Sequence, residues 1–384
     1  MTKQAARRIT WNDGLKGIAC LLIFTHHFAL EYFNGSYFGP AMESRLPFGI
    51  DIRLAYEPYG VLINGNFWVC VFVTLAAFLT AFSVLRCCNV PQRGDWQEKI
   101  SGIIVKRYVR LVIPCGTAGV LYWVLRQCLV PRFECYYGLE NQLSFVKMLW
   151  HTLVKMWIVA DVEALGPYWM LYIIFWGTFI AIILAVATRY SKKWVLPFFF
   201  LAASLILWAK DEYYLCIVLG VLLAYLAEKG LPTDSRRVRW LALIPLAAGI
   251  YLGGYPSYAQ PVFFYRYLGK LCTHIYANKG IATYHALAAG LLILGIIMCV
   301  PAQRGLSTKP LQWLGSISMG VFVLHVTVLQ FVGRPLRDLF LGMGMSYPLM
   351  VLIVYLILLV VLLLLAWGFK NTVERLQNKI LLRF

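Results

Sequence analysis

Trp11-Asn12-Asp13-Gly14-Leu15-Lys16-Gly17-Ile18-Ala19-Cys20-Leu21-Leu22-Ile23-Phe24-Thr25-His26-His27 is the stretch on which the fold of this chain turns. An apolar run over 17–33 carries two histidines near its middle, and Lys3, Arg7 and Arg8 precede it like a charged leader. The run closes on Leu30-Glu31-Tyr32-Phe33 without a small-x-small cleavage site, so it reads as a retained first membrane span rather than a removed signal peptide. Ionisable groups in a span are costly against lipid, so His26 and His27 are expected to face the bundle interior or a wet cavity.

The rest of the chain agrees with a membrane reading. Of its 384 residues 61% are hydrophobic and only 14% charged, yet 35 Lys and Arg outnumber 17 Asp and Glu, for a net charge of +18. Soluble domains are about 25% charged and about half apolar. The composition therefore excludes a soluble domain, a basic disordered tail and a nucleic-acid-binding protein. It predicts an all-α, polytopic integral membrane protein. Ten apolar stretches fall at 17–33, 62–85, 111–130, 168–188, 194–209, 213–227, 240–257, 282–300, 313–332 and 348–369. They predict about ten transmembrane helices in one bundle. No repeat and no long intervening stretch is present, so 1–384 reads as a single membrane domain. In alternate connecting segments, 23 Lys and Arg fall on one side and 12 on the other. The positive-inside rule then places both termini in the cytoplasm.

Two further segments look amphipathic. Lys147, His151 and Lys155 recur every four residues in 144–160, as do Arg266, Lys270 and His274 in 261–279. Residues four apart share a helix face, which fits either helices lying in the outer interface or a basic wall facing an anionic or sugar-like acceptor. The ten cysteines include no CxxC and no zinc-like spacing. Cys128 and Cys135 are close enough in sequence to pair, but nothing requires it.

Several residues are candidates for chemistry. Lys16 and His27 are eleven positions apart, three turns plus about 20°, so they share a face roughly 16 Å apart along the axis. Asp13 lies one turn below Lys16. A cation at the mouth and an imidazole near mid-membrane suit an anionic donor whose far end reaches a base. Taken alone, Lys16 also fits a snorkelling anchor, and His27 a packed histidine bonded to a neighbouring helix. His26 points about 100° away and reads as structural. Lys106, Arg107 and Arg110 precede Pro114; Arg107 and Arg110 share a helix face and offer forks suited to phosphate, or anchors for lipid headgroups. In the ninth stretch Gly315, Ser316, Ser318 and Gly320 allow close helix approach, and His325 is a second polar group in mid-span. Ser318 and His325 are further cavity candidates beside His26.

Together these segments resemble the membrane acyltransferase 3 family. Asp13-Gly14-Leu15-Lys16-Gly17-Ile18-Ala19, with Lys16 eleven positions before His27, is similar to that family's opening motif. Arg107 and Arg110 before Pro114 are similar to its paired arginines, and Leu314-Gly315 through His325 to its late segment. The Asn66–Phe82 stretch and the ten-span count also agree. The resemblance covers about residues 10–370. It departs at Lys16, where Arg is usual, at Ala76-Ala77, where Ser-Gly is usual, and at Ile174, where Glu is frequent. It implies a multi-pass O-acyltransferase of the cell (plasma) membrane. The co-substrate would be cytosolic acyl-CoA, acetyl-CoA foremost, with no bound cofactor, no metal and no nucleic acid. Donor phosphates would meet Arg107, Arg110 and Lys16, with Lys106 beside them. Asp13 would orient Lys16, and His27 would serve as general base for the hydroxyl of a carbohydrate or lipid-linked acceptor, or relay the acyl group. Membrane lipids are the remaining partners. The rival readings are a small-molecule transporter and an inactive scaffold of the same fold, the latter motivated by Ile174.

Overall fold

The computed structural model describes residues 9–56, 59–87, 95–136, 143–160, 166–231, 235–275 and 280–382; the leader-like Lys3, Arg7 and Arg8 lie outside the described residues. Among the described residues the chain is helical, without a strand. The main helices are α1 (Thr10–Tyr32), α2 (Gly65–Cys87), α3 (Asp95–Leu129), α4 (Trp169–Tyr190), α5 (Leu196–Lys210), α6 (Tyr214–Glu228), α7 (Arg236–Gly253), α8 (Gly280–Met298), α9 (Lys309–Ser316), α10 (Ser318–Val328), α11 (Tyr347–Phe369) and α12 (Arg375–Leu381).

Each of the ten apolar stretches falls in this helical framework, but they are not equivalent. Among the described residues six helical stretches, built on α2, α3, α4, α8, α10 and α11, are long and apolar enough to cross a membrane. The other four differ for identifiable reasons. α5 and α6 hold 15 residues each, about 22 Å of helix against roughly 30 Å of hydrocarbon. α7 opens on Arg236, Arg237 and Arg239, and α1 carries Asp13, Lys16, His26 and His27.

α1 tolerates those polar groups because protein surrounds it. Leu15, Ala19, Ile23, Phe24 and Phe28 are buried along its length. Its contact with α9 is backbone against backbone. A Cβ on Gly17 would stand 2.7 Å from the Gly315 nitrogen, and one on Gly315 would stand 1.9 Å from the Asp13 carbonyl oxygen. At its start the Thr10 hydroxyl donates to Ser307 Oγ at 2.8 Å. At its far end Arg334 Nε donates to Glu31 Oε1 at 2.9 Å. The helix is thus fixed along its axis at both ends and by sterics between them.

Two expectations are corrected here. The stretch 313–332 is not one helix: Ile317 (φ −106°, ψ 3°) separates α9 from α10. Ser318 Oγ takes up the Gly315 carbonyl at 2.8 Å across the break. α9 is pressed onto α1 at Gly315, whereas α10 packs Gly320 against Ala366 of α11, and the break serves both contacts. The basic stripe of 144–160 is also divided. A π-helical turn, His151–Lys155, follows Phe145–Trp150, and with i→i+5 bonding residues four apart no longer share a face. Lys147 is exposed while His151 is buried, and Trp150 faces outward. The second amphipathic segment forms the helix Tyr265–Ile275, which buries Tyr265 and exposes Tyr267; the side chain of His274 lies outside the described residues. Cys128 and Cys135 are free thiols.

The glycine contact gives the first prediction. Gly315→Ala forces α1 and α9 apart and is expected to cost about 1–3 kcal/mol, the usual price of overpacking. Gly342→Ala, where an added Cβ meets nothing within 4 Å, is expected to change nothing. Thermal unfolding of both variants in detergent checks this; equal melting temperatures would contradict the packing account.

Candidate active site

Two cavities open along α1. The first, of about 490 Å³, is lined by Asn12 and Lys16 of α1, Arg107 and Arg110 of α3, Ile174 and Thr178 of α4, and Ser318 of α10. Glu374 and Gln377, from beyond the last apolar stretch, complete its wall. The expected cations Lys16, Arg107 and Arg110 are therefore brought together. Lys106, one step round the helix from Arg107, does not line this cavity.

Helix geometry explains the assembly. Lys16 sits one turn after Asp13 and its Nζ lies 3.3 Å from Asp13 Oδ1. Arg107 and Arg110 are three residues apart in an unbroken helix, so both forks point the same way. Glu374 ends a π-helical turn, Lys370–Glu374, that continues α11 into α12. Gln377 Nε2 then donates to the Val109 carbonyl at 2.9 Å, which ties α12 to α3.

The polar balance of this cavity is incomplete. Asn12 Oδ1, Arg107 Nε and Glu374 Oε1 are buried and have no hydrogen-bond partner, and all three residues line it. Buried polar atoms are nearly always satisfied, so three orphans around one space mark a place shaped for something polar. Glu374 shares this cavity with Ile174. Ile174 lines the cavity, but a carboxylate reaches the same space from the other end of the chain.

The second cavity, of about 350 Å³, lies further along α1 and is lined by His26 and His27 with Tyr37, Asn66, Trp169, Glu212, Tyr213, Ser257 and Tyr258. Lys16 and His27 thus each line a cavity, but not the same one. His26 Nδ1 donates to the Ile63 carbonyl at 2.8 Å. Its ring is accommodated because residue 65 is glycine; a Cβ there would stand 2.4 Å from His26 Cδ2. Burial, with the neighbouring Tyr258, lifts the Tyr37 hydroxyl above its ordinary range, so it remains a donor at neutral pH.

His325 of α10 packs beside His27, their ring centroids 4.9 Å apart. His325 Nδ1 lies 2.6 Å from the Phe322 carbonyl. A carbonyl only accepts, so Nδ1 carries the proton and, in the neutral ring, Nε2 is an acceptor. That Nε2 is buried without a partner. Ser318, by contrast, belongs to the first cavity, and its carbonyl receives the Cys20 thiol at 3.4 Å.

Glu374, Glu212, Asn66 and Asn12 are site residues the sequence reading missed. An acidic residue within a few positions of an apolar stretch was the available signal for Glu374 and Glu212.

A family model described as an acyltransferase domain matches residues 9–370. No curated protein and no solved structure matches the chain.

Arg107 Nε is buried without a partner, and an unsatisfied buried donor destabilises the empty protein. Arg107→Met is therefore expected to raise the melting temperature of the ligand-free protein by a few degrees. Lys106→Met, outside the cavity, is expected to leave it within error. Differential scanning fluorimetry checks this; a drop on Arg107→Met would mean that Arg107 is already satisfied.

Proposed function

Because the chain belongs to the acyltransferase 3 family and is a membrane protein with several long apolar helices, we propose that it transfers an acyl group, acetyl foremost, from cytosolic acyl-CoA to a hydroxyl of an extracytoplasmic carbohydrate or lipid-linked acceptor. The observation that carries this reading is the pairing of two cavities along one helix, one cationic with unpartnered buried polar atoms, the other lined by His27, against which His325 packs.

In this reading the donor's phosphates meet Arg107, Arg110 and Lys16, and Asp13 holds Lys16 toward them. Arginine forks suit phosphate oxygens. The thioester arm extends along α1 toward His27, and the acceptor occupies the second cavity. His27 turns one ring N–H toward the lone pair of His325 Nε2, which leaves its other nitrogen free as the base. That nitrogen takes the proton of the acceptor hydroxyl as the oxygen attacks the thioester carbonyl. The carbon–sulfur bond then breaks, and the proton passes to the departing thiolate. His325 is a positioning residue here, because it acts through His27. Glu374 gives the cavity lined by Ile174 a carboxylate, which supports an active enzyme over an inactive scaffold.

The topology belongs to the same proposal. Ten crossings with both termini in the cytoplasm of a plasma membrane put 23 of the 35 Lys and Arg on the inner side, in keeping with the positive-inside rule. The Arg107 cavity then opens to the cytosol and the His27 cavity to the outside.

Purified protein supplied with radiolabelled acetyl-CoA tests the reading. Loss of a general base typically lowers kcat by about a hundredfold to ten-thousandfold, and His27→Ala is expected to fall in that range. His325→Ala is expected to lower kcat with little change in donor KM, and His325→Gln, which keeps an acceptor, to recover part of it. Arg110→Ala is expected to raise the apparent KM for acetyl-CoA. Wild-type turnover by His27→Ala would sink the mechanism, and an unchanged KM for Arg110→Ala would remove the donor site.

A further inference from the structure

The two cavities differ in charge. Lys16, Arg107 and Arg110 outnumber Glu374 around the first. Among the described residues, the only Asp, Glu, Lys or Arg lining the second is Glu212. Resting on the acyl-transfer reading, we propose that the second cavity selects its acceptor by charge. Glu212 is its specificity-determining residue, favouring a hydroxylated ring that bears an ammonium group over one that bears a carboxylate or phosphate.

Glu212 lies in the short link between α5 and α6, where an acidic residue is ordinarily explained as a helix N-terminal cap. No side chain caps α6, and it is Asp211 Oδ1 that accepts from the Tyr213 backbone N–H at 2.9 Å to close the turn before it. Glu212 instead contributes to the cavity wall. The link is held in place from behind. The Tyr213 hydroxyl donates to Asn66 Oδ1 at 2.5 Å, and Asn66 Nδ2 donates to His285 Nδ1 at 2.9 Å. His285 Nε2 donates in turn to the Tyr255 carbonyl at 2.9 Å. His285 is fully buried, so this chain fixes the carboxylate's backbone in a rigid wall. It also commits the oxygen of Asn66 and one of its N–H groups, leaving the second N–H for a ligand hydroxyl.

Aromatic pairs supply apolar faces on the walls. Trp169 and Tyr213 have ring centroids 4.8 Å apart, and Tyr37 and Tyr258 likewise 4.8 Å. Aromatic faces carry negative charge density and attract cations and polarised C–H groups. Carboxylate and aromatic faces therefore push the same way, toward a cationic or neutral ring and against an anionic one. Segregating the charges also keeps the anionic donor in its own cavity.

The test is binding, which does not require turnover. Purified wild-type protein in neutral-lipid nanodiscs is titrated with glucosamine, N-acetylglucosamine and glucuronic acid, which offer an ammonium, a neutral and a carboxylate ring. Glucosamine is expected to bind about tenfold more tightly than glucuronic acid, the scale of one partly screened charge contact, with N-acetylglucosamine between them. Glu212→Gln is expected to bring the outer two within about threefold, while Glu212→Asp keeps their order. Independently of any variant, raising salt from about 0.01 M to about 1 M is expected to shrink the wild-type preference, because screening lengths fall from about 30 to about 3 Å. Absence of binding by all three rings, or a preference unmoved by both Glu212→Gln and salt, overturns the proposal. Charge-selective binding without any acetyl transfer would instead sink the transferase reading and leave the selectivity standing.

Discussion

Everything in this structure depends on how closely α1 approaches α9. Gly17 and Gly315 remove the side chains that would separate these two helices, so that backbone meets backbone, and Gly14 allows the same approach to Leu306 just before α9. That contact fixes the depth of Lys16 and, eleven residues on, of His27. The chain breaks at Ile317 just beyond it, and from there α10 carries Ser318 into one cavity and His325 to the side of His27. A loose contact would leave the two histidines without a fixed relation, whatever their chemistry.

The site is built at a cost to stability. Arg107 Nε, Glu374 Oε1, Asn12 Oδ1 and His325 Nε2 are all buried and unpartnered, and each such atom costs on the order of 1–3 kcal/mol. Tyr32 Oη, Ser36 Oγ and Arg126 Nη2 are the other such atoms among the described residues, and none of these residues lines either cavity. Three of the seven, those of Asn12, Arg107 and Glu374, surround one cavity, which marks it as a place whose partners arrive with a ligand.

The sequence made much of this legible, and the limits have physical causes. Apolar runs announced the helices, since a chain 61% hydrophobic has few other ways to satisfy its backbone in lipid. Helical spacing put Arg107 beside Arg110 and Lys16 beside Asp13, because those relations are local. What spacing does not carry is the phase of a helix past a π-helical turn. Glu374 lies beyond the last apolar stretch and His151 falls in a basic stripe by spacing, and a π-helical turn at each re-aims it. Glu212 falls between the apolar stretches 194–209 and 213–227, where nothing local shows that it lines a cavity. Nor does helical phase alone show that residues sharing a face, such as Lys16 and His27, line different cavities.

The central claim is that one donor reaches from the arginines to the histidine pair along α1. The most direct measurement is a structure of the protein with a non-hydrolysable acetyl-CoA analogue. The account predicts phosphates within hydrogen-bond distance of Arg107 and Arg110, and the carbonyl carbon in range of His27, where the acceptor oxygen held by that base stands about 3–3.5 Å from it. An analogue whose acyl end stays beside Lys16, or whose phosphates sit in the Glu212 cavity, would contradict it.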